Sequence, residues 1–110
     1  MKNFGTTLKS FRLAKGWKIL DLAMASGIDP SLLSKYENGH REPSTRHIHL
    51  LLDLFGVEGK QLKRQWLADK IFELVREEED PGSIWMLADS RIEYLKSHPA
   101  STTTVLSADL

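Results

Sequence analysis

Apolar side chains recur along this chain at intervals of three and four residues, and no stretch sustains the every-second-residue alternation of a strand. That period predicts helices throughout. In TTLKSFRLAKG the inward face is Leu8 and Phe11, with Leu13 and Ala14 as further candidates, and Gly16 marks the stop. WKILDLAMASG repeats the pattern through Ile19, Leu22, Ala23 and Ala25 and ends at Gly27. Next, Asp29 is placed to cap a short helix, and Pro30 suits a first position where no N–H is needed. Leu32, Leu33 and Tyr36 form its buried face, and Asn38-Gly39 closes it.

HREPS is a loop that delivers Ser44 as the cap of a fourth helix, TRHIHLLLDLF. Ile48, Leu51, Leu52 and Phe55 share one side of it, Leu50 and Leu54 widen the apolar surface, and Gly56 follows. A long helical pattern over about 60–79 keeps Leu62, Trp66, Leu67, Ile71, Leu74 and Val75 in register. At ~1.5 Å per residue it extends roughly 30 Å, the width of a small domain. Asp80-Pro81 interrupts the pattern and opens a last helix lined by Ile84, Leu87, Ala88, Ile92 and Leu95. Beyond Pro99, ASTTTVLSADL is polar and aperiodic and is expected to be a mobile tail.

With 110 residues the chain is long enough for one core. It has no cysteine, which excludes disulfides, thiolate zinc sites and thiol nucleophiles. No apolar run suits a signal peptide or a membrane span, so a soluble cytoplasmic protein is expected. The net charge of zero conceals a division. Residues 1–65 hold eleven basic side chains against six acidic, whereas residues 66–110 hold four against nine. A basic first half beside an acidic second half hints at polyanion binding by the first.

Two short helices joined by a tight glycine turn, LDLAMASGIDPSLLSKYENG, resemble the helix-turn-helix of phage repressor and Cro proteins, the XRE family. Ala23 is small where two helices must approach, and Gly27 takes the turn position that favours positive φ. Leu22, Ile28, Leu33 and Tyr36 match the family's core, while Glu37-Asn38-Gly39 with Pro43-Ser44, and then Gly56-Val57, match its later landmarks. The resemblance covers roughly residues 6–65. It implies an all-α, five-helix DNA-binding domain over 1–65; the residue pattern beyond it predicts a helical extension over 66–98 and a flexible tail over 99–110. The resemblance also implies a structural ion pair between Arg12 and Glu37, since a carboxylate offsets the cost of burying the guanidinium.

In this motif the helix after the turn enters the major groove. Carried over by position, the base-reading residues are Pro30, Ser31, Ser34 and Lys35. Lys35 is the one long donor, with guanine O6/N7 as its partner or a phosphate as the alternative. Ser31 and Ser34 can donate or accept and so discriminate poorly, or are plain helix surface; Pro30 offers apolar contact to a thymine methyl. Phosphate contacts are expected from Lys18, Asn38, His40, Arg41, Thr45 and Arg46. Ile19 stands where the family often has an amide side chain, so one phosphate contact is in doubt.

His47, His49 and Asp53 lie close in sequence, but no third metal ligand at fitting spacing is evident, and polar helix surface explains them better. No nucleophile–base or paired-carboxylate constellation suggests an enzyme, and no cofactor or small-molecule ligand is expected. The extension carries more apolar surface than five helices need. Trp66, Ile71, Leu74, Ile84 and Leu87 are the expected dimer interface, because such readers bind paired half-sites; enlarging the monomer's own core is the alternative. The expected function is a homodimeric regulator, most simply a repressor, on a palindromic double-stranded operator. A restriction–modification controller and an antitoxin whose extension binds a toxin are the alternatives.

Overall fold

A computed structural model describes residues 2–98 as six helices with no strand among them. They are α1 (Phe4–Ala14), α2 (Ile19–Ser26), α3 (Pro30–Glu37), α4 (Thr45–Phe55), α5 (Val57–Val75) and α6 (Pro81–Ser97). The chain divides into two compact units, Met1–Phe72 and Glu73–Leu110. The expected tail, 99–110, lies outside the described residues.

Local chemistry starts helices α1 to α4. Asn3 and Thr6 form a reciprocal capping box, each side chain accepting the other's backbone N–H at 3.0 Å. Helix α1 therefore begins earlier than the apolar pattern suggests, and Phe4 enters the core. Lys18 N–H donates to Asp21 at the head of α2. Gly27 ends α2 with φ 77°, a left-handed turn that a side chain would strain, so α3 can set off at once in a new direction. Ser44 caps α4 by accepting the His47 N–H at 3.1 Å.

The core of this unit is Phe4, Leu8, Leu22, Ile28, Leu33, Tyr36, Ile48, Leu51, Phe55 and Leu62. Leu22, Leu33 and Leu51 have no exposed surface at all. The expected faces hold with five exceptions: Leu13, Ala14, Ala25, Leu67 and Ile71 are exposed. Ser26 is buried in place of Ala25 because its hydroxyl oxygen accepts the Ile28 N–H in the turn, a service alanine lacks. Leu50, Leu52 and Leu54 pack partly against the core and account for the wide apolar surface of α4.

Two glycines mark where helices touch backbone to backbone. A Cβ on Gly5 would meet the Tyr36 carbonyl oxygen at 2.5 Å, and one on Gly59 would meet that of Leu52 at 2.7 Å. The first seats α1 on the end of α3, the second seats α5 on α4. Helix α5 then supplies what α1 lacks. Asp69 Oδ2 accepts the Phe4 N–H at 2.8 Å, placing an anion at a helix start with no acid of its own. Gln65 donates to Asp69 Oδ1 at 3.1 Å and to the Lys2 carbonyl at 3.3 Å.

Helix α5 begins at Val57 and stops at Val75, short of the expected 79. The run Glu77-Glu78-Glu79-Asp80 accounts for the difference, because carboxylates at a helix C-terminus oppose its dipole. At the next N-terminus the same charge helps. Asp80 accepts the Ser83 N–H at 3.2 Å and the Ser83 hydroxyl, with Pro81 at the first position of α6. Those bonds hold the Asp80 carboxyl below the usual carboxylate range.

Arg12 and Glu37 meet inside the first unit. Arg12 Nε donates to Glu37 Oε2 at 2.7 Å, Nη2 to Oε1 at 2.9 Å, and Nη1 to the Trp17 carbonyl at 2.8 Å. Their side chains are only 10% and 4% exposed. Glu37→Ala leaves a buried guanidinium unpaired and is expected to lose roughly 3–5 kcal/mol. Replacing both partners by Met and Leu should recover most of that, because no buried charge then remains. Urea unfolding midpoints check both; an unchanged midpoint for Glu37→Ala rejects the pair as a structural tie.

Candidate nucleic-acid interface

Helix α3 is held from behind and open in front. Leu33, Tyr36 and Glu37 face inward, Leu32 and Ser34 are half-buried, and Ser31 and Lys35 are exposed. Pro30 at the first position is half-covered. The four expected base-reading residues therefore lie on or beside the open face. Tyr36 Oη sits 2.6 Å from His47 Nδ1, a bond that ties α3 to α4 and gives His47 a structural partner.

The start of α3 is fixed by one carboxylate oxygen. Asp29 Oδ2 accepts the Ser31 and Leu32 N–H groups at 3.0 and 3.2 Å and the Ser31 hydroxyl at 2.5 Å. The Ser31 hydroxyl most of all, then the Leu32 N–H, holds the Asp29 carboxyl below its ordinary range. Ser31 is thus not the indifferent donor-or-acceptor that the sequence suggests, because its hydrogen is already engaged. Among the described residues, Ser34 Oγ receives only the long 3.5 Å contact from Asn38 Nδ2.

The expected phosphate contacts flank this face. Lys18 precedes α2; Asn38, His40 and Arg41 follow α3; Thr45 and Arg46 open α4. All six are exposed. Ser44 at the head of α4 satisfies the His47 N–H, and the positive end of that helix lies at Thr45 and Arg46. Among the described residues no group of three or more His, Asp or Glu is placed to hold a metal ion.

A family model described as helix-turn-helix matches residues 8–62, half of the chain. The chain belongs to this helix-turn-helix family. It is an XRE-type DNA-binding protein, and the matched stretch runs from the middle of α1 into α5, covering the Arg12–Glu37 pair, the Gly27 turn and all of α3. Comparison with curated proteins gave no match, nor did comparison with solved structures. The helix-turn-helix family acts through DNA binding, as a transcriptional regulator.

Of the expected dimer residues, Ile71, Leu74, Ile84 and Leu87 are exposed at 42%, 78%, 41% and 71%. Trp66 differs. It is half-buried against the core of the first unit, under the Lys70 ammonium at 4.8 Å from its ring centroid. Lys70 also pairs with Glu42 in the loop before α4. Periodicity placed Trp66 on the same stripe as Ile71 but carried no sign that the core reached so far along α5. Gln65 and Asp69, which brace α1, were missed for the same reason. Gly5 and Gly59 could have been found as glycines at or inside helical patterns, a sign of close backbone approach.

Because the folded-state pKa of Asp29 is depressed, its cap contributes fully above the unfolded value near ~3.9 and is lost as pH falls through the lower folded value. The melting-temperature difference between wild type and Asp29→Ala should therefore be constant at neutral pH and shrink below about pH 4. Thermal melts across pH 2–7 by circular dichroism measure it; a gap that widens on acidification contradicts the cap.

Proposed function

We propose that this DNA-binding regulator is a sequence-specific repressor that acts as a homodimer on a palindromic double-stranded operator. The observation that carries the reading is α3 itself: clamped through Glu37, Leu33 and Tyr36, and open at Ser31 and Lys35. A helix fixed from one side with short polar residues on the other fits a major groove, where rigid presentation lowers the cost of ordering on binding. The six flanking polar and basic side chains then set register on phosphates. A DNA target supports the cytoplasm as the place of action.

Dimerisation is supported by the apolar stripe of α6. Ile84, Leu87, Ile92 and Leu95 recur at helical spacing, all are exposed, and no residue of α6 is buried. Such a helix gains stability by covering that stripe, and paired half-sites about 34 Å apart call for two copies. The same stripe also suits an extension that grips a toxin, so co-purification of a second polypeptide distinguishes the antitoxin alternative. Ile71 and Leu74 extend the proposed interface along α5; Trp66, committed to its own core, does not.

Two measurements test this reading. Arg41→Glu should weaken binding to every duplex alike and lower the slope of log affinity against log salt by about one; an effect confined to one sequence contradicts a phosphate role. Leu87→Glu should convert a dimer to a monomer in sedimentation equilibrium with α-helical content retained. Wild type sedimenting as a monomer at micromolar concentration rejects the homodimer.

A further inference from the structure

The hydrogen bonds at the start of α3 give its open face a direction of polarity. Ser31 Oγ donates to Asp29 Oδ2 at 2.5 Å, and an ionised carboxylate can only accept. The two N–H bonds to the same oxygen, at 3.0 and 3.2 Å, favour the ionised form further. With its hydrogen engaged, Ser31 presents only lone pairs outward. Asp29 Oδ1 takes part in no hydrogen bond among the described residues and adds a second acceptor beside it. Further along the helix the polarity inverts. Ser34 receives the Asn38 contact and keeps its own hydrogen, and Lys35 brings an ammonium with three donors.

Base edges in the major groove answer such a pattern unequally. Guanine offers acceptors at O6 and N7, thymine an acceptor at O4, and adenine an N6 donor beside an N7 acceptor. Cytosine offers an N4 donor with no acceptor of its own next to it. We propose that Asp29 and Ser31 act as an acceptor pair that selects a cytosine N4 amino group at one position of the DNA site. Asp29 is thereby a specificity-determining residue as well as a helix cap. The proposal rests on α3 being the helix that reads the groove. Guanine or thymine at that position sets lone pairs against lone pairs and leaves both sides dry and unpaired, the costly case for polar groups. Adenine meets the same penalty through N7. Lys35 and Ser34, as donors, are left to pair with a guanine or thymine edge elsewhere in the site.

Selection of bound duplexes from a randomised library tests this, using the full chain alongside Asp29→Asn and Ser31→Ala. Wild type should enrich cytosine at one position by about tenfold over the other bases. Asparagine keeps an oxygen for the cap but turns an amide donor outward, so that preference should fall to within about twofold while other positions stay unchanged. Ser31→Ala should weaken the same position and no other, and it leaves the Asp29 cap intact, so it serves as the reference if Asp29→Asn melts early. A selected site with no such cytosine overturns the acceptor pair and leaves DNA reading by α3 standing. A cytosine preference indifferent to both substitutions does the same. If no sequence is enriched at all, the groove-reading role of α3 fails, and the proposal with it.

Discussion

A guanidinium and a carboxylate that lie 25 residues apart in sequence share the interior of a small domain here. Neither tolerates that position alone, since each charge forfeits its hydration on burial. The two parallel bonds from Arg12 to Glu37, with the Trp17 carbonyl taking a third donor, make the site satisfiable. Their geometry is demanding. The last residue of α3 must stand where α1 can reach it, and the α1–α2 turn must present Trp17 to the same guanidinium. One interaction thereby fixes the orientation of the helix whose other face is the open one. A hydrophobic pair of equal volume could hold α3 with similar energy but would set its rotation less sharply, because apolar contact is non-directional.

Around that tie the remaining contacts suppress alternatives. Gly5 lets the start of α1 abut the Tyr36 and Glu37 carbonyl oxygens, so α1 contacts the end of α3 by backbone as well as by charge. The Tyr36–His47 bond fastens the opposite flank of α3 to α4. Asp69 caps α1 from α5 and Gly59 keys α5 onto α4, so the first stretch of α5 belongs to the reader's framework. The consequence is mechanical. Helix α5 is anchored in the first unit through Leu62, Trp66 and Asp69.

Periodicity and capping chemistry made most of this legible. Six helices, the Gly27 turn, the Ser44, Asp29 and Asp80 caps and most inward faces follow from three-and-four spacing and side chains that serve local N–H groups. Fidelity is best where the cause is local, within about four residues. It fails where the cause is distant. Nothing near Asp69 announces that its carboxylate caps a helix 65 residues away, and Trp66 looks like surface until α4 and α5 are seen to touch. The end of α5 was misjudged for another reason: apolar spacing outweighed the charge run at 77–80, although that run disfavours a helix C-terminus. On the open face of α3 the exposure of Ser31 and Lys35 was readable, but the state of the Ser31 hydroxyl was not, because polarity depends on which neighbour claims the hydrogen.

That last point bears on how a weakly equipped helix can discriminate at all. Pro30, Ser31 and Ser34 lack the bidentate amides and guanidinium forks that supply the strongest base contacts. A hydroxyl free to rotate suits donors and acceptors alike and contributes little selectivity. Once a carboxylate claims the hydrogen, the same hydroxyl becomes a fixed acceptor, and rejection of wrong bases replaces attraction to the right one as the source of discrimination. The acid needed for this sits within a segment whose basic side chains outnumber its acidic ones eleven to six over residues 1–65, so long-range attraction to phosphate survives it. The acidic excess is gathered instead beyond residue 65, away from the helix-turn-helix segment in sequence. On the proposed reading, affinity and selectivity draw on different residues: exposed cations around α3 for the first, and a locally polarised pair at its start for the second.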